Sequence, residues 1–258
     1  MATLGIIVPD DGPLDYELYR LKPWFDERGI HVNVVTEDSY SPGFVYGESA
    51  SAIEASLKQT GSDESLHPCL KRLVGQHCDV IVWACTSGSF AGGYQWSLDQ
   101  TERLRRESAR PCTSTTLALI EAVHALDVSE VDLLSTYPEF ATQRLTETLA
   151  EAGITVVDST SVDGATNHSY GKQADFSYEL DILESMEHFV TSVSSHSDRP
   201  ILVPNTSVNT LDLVESFEKI ANRLVITANQ ASLWHALKLL DCDIAPRDAG
   251  RLFQLTAP

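Results

Sequence analysis

Short apolar runs alternate along the chain with longer segments of helical periodicity, and this alternation constrains the fold more than any other feature. Turn-forming residues bound each run, as expected for strands of a parallel sheet that helices cover. The predicted strands are 4–8, 32–36, 80–84, 131–135, 154–157, 201–203 and 224–227. The predicted helices are 16–28, 49–59, 66–76, 97–106, 115–126, 139–151, 182–192 and 232–239. We therefore predict an α/β fold.

Three short sequence matches indicate that the chain is duplicated. They occur in the same order in both halves, at offsets of 124, 120 and 114 residues: GIHV at 29–32 with GITV at 153–156, CTS at 85–87 with NTS at 205–207, and ALIEAVHALD at 118–127 with SLWHALKLLD at 232–241. Duplication predicts two flavodoxin-like lobes related by a pseudo-two-fold axis, with a ligand between them at the carboxyl ends of the strands. We assign residues 1–114 plus 226–258 to the first lobe and 115–225 to the second.

Charge and composition narrow the range of partners. The 258 residues include 18 basic and 37 acidic side chains, a formal net charge of −19. Such a field repels phosphate backbones and anionic bilayers, so we expect neither nucleic acid nor membrane as a partner. No apolar run reaches about 18 residues, and the first residues lack the basic, then apolar, pattern of a secretory signal. We expect a cytoplasmic protein, and the sequence leaves its oligomeric state open, a homo-oligomer included.

The strongest candidate for chemistry is the motif Cys85-Thr86-Ser87, which follows a predicted strand directly. A thiol, two hydroxyls and the backbone amides of a turn meet there. Consecutive amides in such a turn can hold a carboxylate, and the same dipoles favour the thiolate form of a cysteine. The alternative interpretation is a small buried cysteine that ends a strand.

The matching motif of the second half, Asn205-Thr206-Ser207, keeps both hydroxyls but carries an amide in place of the thiol. Asn205 cannot transfer a proton, but it can orient substrate or contribute to an oxyanion site opposite Cys85. Alternatively, this asparagine and threonine cap a helix that begins near residue 211. Tyr137 follows another predicted strand, where its phenol can donate to an enolate oxygen or its ring can pack between the lobes.

Other polar residues give weaker signals. Asp10 and Asp11 follow the first predicted strand, where carboxylates would repel an anionic substrate unless one is protonated or turned outward. The glycines form neither a Walker motif nor a dinucleotide fingerprint. The eight histidines and five cysteines show no metal-ligand spacing. We therefore expect no cofactor and no metal.

Several segments together resemble the aspartate/glutamate racemase superfamily, and in particular its branch of maleate cis-trans isomerases and arylmalonate decarboxylases. They are ACTSGSF at 84–90, the loop of Tyr137, NTSVNTLDLV at 205–214 and NQASLWHAL at 229–237. The resemblance covers almost the whole chain. It implies a metal-free, cofactor-free enzyme that binds a substrate carboxylate among hydroxyls and backbone amides and passes through an enediolate.

The resemblance also implies roles for individual residues. Cys85 matches the first-lobe thiol, which is the nucleophile in the isomerases, and Asn205 falls where racemases carry a second thiol. The positions that match substrate-holding residues are Thr86, Ser87, Tyr137, Thr206 and Ser207, with Asn167 near an asparagine that contacts substrate in the isomerases. Asp10 and Asp11 depart from the asparagine that the isomerases carry after the first strand.

Three functions are compatible with one thiol. Cis-trans isomerisation needs a single thiolate that adds to an activated alkene and leaves after rotation, whereas decarboxylation needs a single thiol that protonates the enediolate left by carbon dioxide. Racemisation needs an acid and a base on opposite faces, and Asn205 can be neither. We favour a maleate isomerase-like enzyme because Cys85 lies at the isomerase nucleophile position. An arylmalonate or malonate-type decarboxylase is the alternative, and a non-catalytic dicarboxylate-binding protein is the third hypothesis.

Overall fold

The computed structural model describes residues 2–9, 14–37, 49–161, 177–246 and 249–255. The first half of the chain contains β1 Ala2–Pro9, α1 Leu14–Asp26, β2 Ile30–Glu37, α2 Ala50–Thr60, α3 Asp63–Gly75, β3 Val80–Trp83, α4 Thr86–Phe90, α5 Tyr94–Ser108 and β4 Cys112–Ser114. The second contains α6 Thr115–Ala125, β5 Glu130–Leu134, α7 Glu139–Glu151, β6 Thr155–Thr160, α8 Ser177–His188, a π-helical turn Phe189–Val193, β7 Ile201–Val203, α9 Val214–Ala221, β8 Val225–Thr227, α10 Ala228–Leu239 and α11 Leu252–Leu255.

The strands form two parallel four-stranded sheets with the same topology. The first has the order β2-β1-β3-β4 and the second has the order β6-β5-β7-β8. Every pairing within them is parallel. The central strands β3 and β7 are buried along their whole length, as expected where helices cover both faces of a parallel sheet. The predicted α/β fold of two similar lobes is confirmed.

The helices that follow the last strand of each sheet cross to the other half of the molecule. Leu119 and Val123 of α6 pack with Leu133 of the second sheet. Leu233 of α10 belongs to the core cluster that contains Ile6 of the first sheet. The two helices therefore lie at the centre of the molecule and connect the two cores.

Short local signals start both crossing helices without an intervening loop. Ser114 ends β4 and caps α6, its side chain accepting from the amide of Leu117. Thr227 ends β8 and caps α10 in a capping box with Gln230. Because Thr227 pairs within the second sheet, β8 spans the proposed lobe boundary at 225/226. Over the part of the chain that the structure describes, no helix is both long and apolar enough to cross a membrane.

Two elements near the candidate site are absent from the sequence-based prediction. Strand β4 contains three residues, two of them with hydroxyl side chains, so it lacks the apolar run that indicates a strand. Helix α4 contains five residues including Gly88, which is too short for helical periodicity. The short α4 nevertheless positions Cys85, because it begins immediately after that residue.

Candidate active site

Cys85 lies two residues after the end of β3 and forms the N-cap of α4. Its Sγ atom accepts a hydrogen bond from the backbone amide of Gly88, at 3.4 Å, and lies 3.8 Å from the hydroxyl oxygen of Ser87. An amide that donates to the sulfur stabilises negative charge there. Cys85 is also buried at 5% exposure, in a core cluster with Trp83. The buried-cysteine interpretation is thus correct about burial, but the sulfur has a polar partner.

The lack of a side chain at Gly88 leaves room for the sulfur of Cys85 next to the backbone amide of Gly88. A Cβ atom at this position would lie 3.2 Å from Cys85 Sγ and 3.1 Å from the ring of Trp83. Both distances are tighter than ordinary van der Waals contact. Any side chain at residue 88 would therefore crowd the thiol.

Buried hydroxyls hold the first motif from behind. Ser89 Oγ lies 2.6 Å from the carbonyl oxygen of Cys85 and 2.7 Å from Thr116 Oγ1, and Thr116 also donates to the carbonyl of Thr86. Thr86 itself is fully buried. Its own hydroxyl oxygen has no hydrogen-bond partner among the described residues. Since buried hydroxyls are normally paired, Thr86 retains hydrogen-bonding capacity for a bound group.

Asn205 lies just after β7 and is nearly fully buried. Its Oδ1 accepts from the amide of Ser207 at 2.9 Å, and its Nδ2 donates to the hydroxyl of Thr136 at the same distance. Helix α9 begins only at Val214, and its N-cap makes no side-chain hydrogen bond. The interpretation of Asn205 as a helix cap is therefore wrong, because the amide instead closes a turn within its own motif.

Tyr137 connects the two motifs. It follows β5, is 2% exposed and packs edge-to-face on Phe90 of α4, with ring centroids 5.6 Å apart. The preceding residue, Thr136, holds Asn205. The ring of Tyr137 thus packs against a residue of the first half of the chain, as the packing interpretation predicts. The residues after β3, β5 and β7 form one contact chain at the carboxyl ends of these strands.

The two motifs also match in exposure. Thr86 and Thr206 are buried, whereas Ser87 and Ser207 are partly exposed. The serine hydroxyls are therefore the more accessible donors in each motif. Three further candidates, Asp10, Asp11 and Asn167, lie outside the described residues.

Two supporting residues were missed from the sequence. Thr116 and Asn229 are each the second residue of a crossing helix, and each donates to one backbone carbonyl of the nearer motif, that of Thr86 or Thr206. The two residues occupy equivalent positions in the duplicated halves, and this equivalence is the sequence signal that could have identified them. Within the described ranges, no group of three His, Cys, Asp or Glu side chains is placed to hold a metal ion. The arrangement offers a thiol and neutral donors, which suit a carboxylate ligand.

Known proteins resemble the chain over about three quarters of its length or more. A family model described as arylmalonate decarboxylase matches residues 4–253. The chain is 27% identical to the arylmalonate decarboxylase of Bordetella bronchiseptica over 256 residues, covering 97% of this chain and 96% of that protein. It is 24% identical to a maleate isomerase of Geobacillus stearothermophilus over 195 residues, covering 74% and 75% of the two chains.

A solved structure shares the fold. It is a cysteine-to-serine mutant of the maleate cis-trans isomerase of Nocardia farcinica, with a covalently bound succinylcysteine intermediate. The TM-score is 0.74 at 20% identity, with 99% of each chain covered. The two-sheet architecture is therefore common to this chain and that isomerase.

Proposed function

Because the chain belongs to the arylmalonate decarboxylase family, we propose that it is a cofactor-independent enzyme with Cys85 as its single catalytic thiol. Its substrate is a small mono- or dicarboxylate, which reacts through a stabilised enediolate. The reaction we favour is cis-trans isomerisation, as in the maleate isomerases.

One local arrangement carries this proposal. A sulfur that accepts an amide hydrogen bond lies 3.8 Å from a partly exposed hydroxyl, that of Ser87. The residue between them in sequence, Thr86, has a buried hydroxyl without a partner among the described residues. An unpaired buried hydroxyl costs about 1–3 kcal/mol, which a bound carboxylate oxygen would offset. A carboxylate held there would place its α-carbon next to the sulfur.

The isomerisation needs only that thiol. The Cys85 thiolate adds to one alkene carbon, forming a C–S bond, and the π electrons move through the other carbon into its carboxylate as an enediolate. Rotation follows about the former double bond between the two carbons, which is now a single bond. The electrons then return, the C–S bond breaks and the thiolate is restored, so that no net proton is transferred. Thr206 and Ser207 would hold the second carboxylate, and Tyr137 would donate to the oxygen on which negative charge develops.

Asn205 fits an orienting role in this scheme. Both ends of its amide are engaged, by Ser207 and by Thr136, so its orientation is fixed. An amide neither donates nor accepts a proton in catalysis, and a reversible addition does not require it to. The Nocardia structure supports the addition step, because that variant lacks one cysteine and still holds a succinylcysteine. We propose that Asn167 contributes a further substrate contact.

Decarboxylation of a malonate-type substrate is the second candidate. The family model carries the decarboxylase description, and the decarboxylase relative is matched over 97% of this chain. In this reaction one carboxylate leaves as carbon dioxide, its bonding electrons form the enediolate, and the Cys85 thiol gives its proton to the α-carbon. A non-catalytic dicarboxylate-binding protein is the third.

Proton NMR separates the three functions. Purified protein is incubated in deuterated water with maleate, methylmalonate or phenylmalonate. Fumarate formation without deuterium uptake establishes isomerisation, and loss of carbon dioxide with α-deuteration establishes decarboxylation. Ligand-dependent line broadening without turnover establishes a binding protein and refutes the enzyme proposal.

A further inference from the structure

Glu17 is a buried carboxylate that joins the first half of the chain to the second motif. It lies on α1 and is 1% exposed. One carboxylate oxygen accepts hydrogen bonds from the backbone amides of Thr210 and Leu211, the latter at 2.9 Å. The other accepts from Nδ2 of Asn229 on α10. The chain immediately after the Asn205 motif is therefore fixed by a side chain more than 190 residues away in sequence.

Asn229 extends this hold to the motif itself. The same Nδ2 atom lies 3.4 Å from the carbonyl oxygen of Thr206 and 3.1 Å from that of Val208. The Oδ1 atom of Asn229 is buried without a partner among the described residues. Reversal of the amide would point this oxygen at two carbonyls and a carboxylate. Glu17 and these two carbonyls together determine which end of the Asn229 amide faces the motif.

At the first motif the equivalent support comes from a hydroxyl. Thr116, at the equivalent position of α6, reaches the carbonyl of Thr86 with a hydroxyl and is itself supported by Ser89. The first motif also continues into α4, whereas residues 206–208 form turns. A turn lacks the repeating backbone bonds of a helix, so the second motif depends more on contacts from outside.

We propose that Glu17 is a positioning residue for substrate binding, holding Thr206 and Ser207 in the arrangement that receives a substrate carboxylate. The assignment rests on the proposed function. Substrate and transition state both carry the carboxylate, so loosening the motif weakens the binding of both. The expected signature is a raised KM with little change in kcat.

Glu17→Gln tests the assignment with a nearly isosteric change. The glutamine keeps one acceptor oxygen but turns an NH2 group towards either the loop amides or Asn229. We expect KM for the substrate found by NMR to rise roughly tenfold, as for loss of one hydrogen bond to a charged group, with kcat changed by less than about threefold. The alkylation rate of Cys85 should stay unchanged, because that thiol lies in the first motif.

Asp132→Asn is the matched control. Asp132 is an equally buried carboxylate in the middle of β5, where it pairs with Ile201 at the amino end of β7, away from the motifs. This variant should lose stability while KM stays at the wild-type value. If Glu17→Gln also loses only stability, or lowers kcat alone, the positioning role is overturned. Should it fail to fold, Asn229→Ala replaces it, and an unchanged KM there refutes the proposal.

Hydrogen exchange followed by mass spectrometry separates this proposal from the proposed function. In Glu17→Gln the amides of 206–211 should exchange faster, whereas those of 86–89 should keep their wild-type rates. This readout needs no substrate. If the wild type is inactive but Glu17→Gln accelerates exchange at 206–211, the proposed function is refuted and the contact of Glu17 with the motif is supported. Unchanged exchange in an active protein would refute the role of Glu17.

Discussion

The two lobes share a topology but differ in what they carry at the ends of their strands. At the carboxyl ends the first lobe presents the Cys85 thiol, whereas the second presents the Asn205 amide at the matching position. In the middle of β5, level with the start of β7, Asp132 is buried between Arg199 and Arg223. Four ion pairs described in the first lobe, among them Arg103 with Asp63, lie at the surface.

This difference indicates how a duplicated scaffold divides its roles. Both copies keep a threonine and a serine after their third strand, so both retain hydroxyls that can donate hydrogen bonds to a carboxylate. A carboxylate bound between them needs two sets of donors but only one bond-making group. The buried Asp132 lies level with the amino end of β7, away from the Asn205 motif at the carboxyl end of that strand, and there it stabilises the fold.

Asp132→Asn should give the largest change in stability. Asp132 accepts from Arg199 Nε at 2.7 Å and from Arg223 Nη1 at 2.8 Å. Removal of one partner from a buried ion pair costs about 3–5 kcal/mol, because the remaining charges stay uncompensated. Urea denaturation at pH 7 measures the loss. A cost below about 1 kcal/mol would mean that the cluster behaves like an exposed pair.

The same variant has a defined pH dependence. Burial alone would raise the pKa of Asp132, but hydrogen bonds from Ser194, Arg199 and Arg223 outweigh it and lower the pKa. The stabilisation is therefore complete above the unfolded value of about 3.9 and is lost as pH falls through the native pKa. The stability difference between wild type and Asp132→Asn should shrink in that acidic range. A constant difference would contradict the assignment.

Cys85→Ser should give the largest change in activity. A hydroxyl is similar in size but far less acidic and less nucleophilic, so turnover should fall by at least about 100-fold while the fold is kept. Cys112→Ser is the control, because burial raises the pKa of Cys112 to about 11 and that thiol has no place in the reaction. Circular dichroism and steady-state rates measure both. Near-normal turnover by Cys85→Ser would refute both candidate reactions.

Asn205→Cys should give a smaller change in activity than Cys85→Ser, and the change should be a gain of function. The wild type should leave both enantiomers of aspartate and glutamate unchanged, because the second motif has no proton-transferring group. A thiol at residue 205 restores a pair of acid-base groups, so slow α-deuterium exchange should appear. NMR in deuterated water detects it. Interconversion by pure wild-type protein would contradict the single-thiol account.

The sequence predicts most of the scaffold because buried strands appear in it as short apolar runs. Runs such as VIVW at 80–83 identify strands, and the residue after each run falls at a sheet edge. Cys85, Asn205 and Tyr137 could therefore be placed before the structure was known. Their neighbours in space could not all be inferred, because the contact of Tyr137 with Phe90 joins two halves of the chain.

Supporting polar residues were harder to predict. Glu17 lies in a helical pattern where a carboxylate usually faces solvent, and only its contacts with residues 210, 211 and 229 reveal its burial. Helix α4 is held by Thr116 through Ser89, a contact spanning 27 residues. Short elements of this kind derive their stability from long-range packing, which local periodicity does not record.

Site-specific alkylation tests the central claim most directly, that Cys85 is the thiol of a carboxylate site. The protein is treated with limiting iodoacetamide, with and without maleate or phenylmalonate, and all five cysteines are followed by peptide mass spectrometry. Burial raises the pKa of Cys78 and Cys112 and keeps them protonated. We predict that Cys85 is modified first and that at least one of the two dicarboxylates suppresses its labelling alone. Slower labelling of Cys85 than of Cys112, or labelling that neither dicarboxylate affects, would contradict the account.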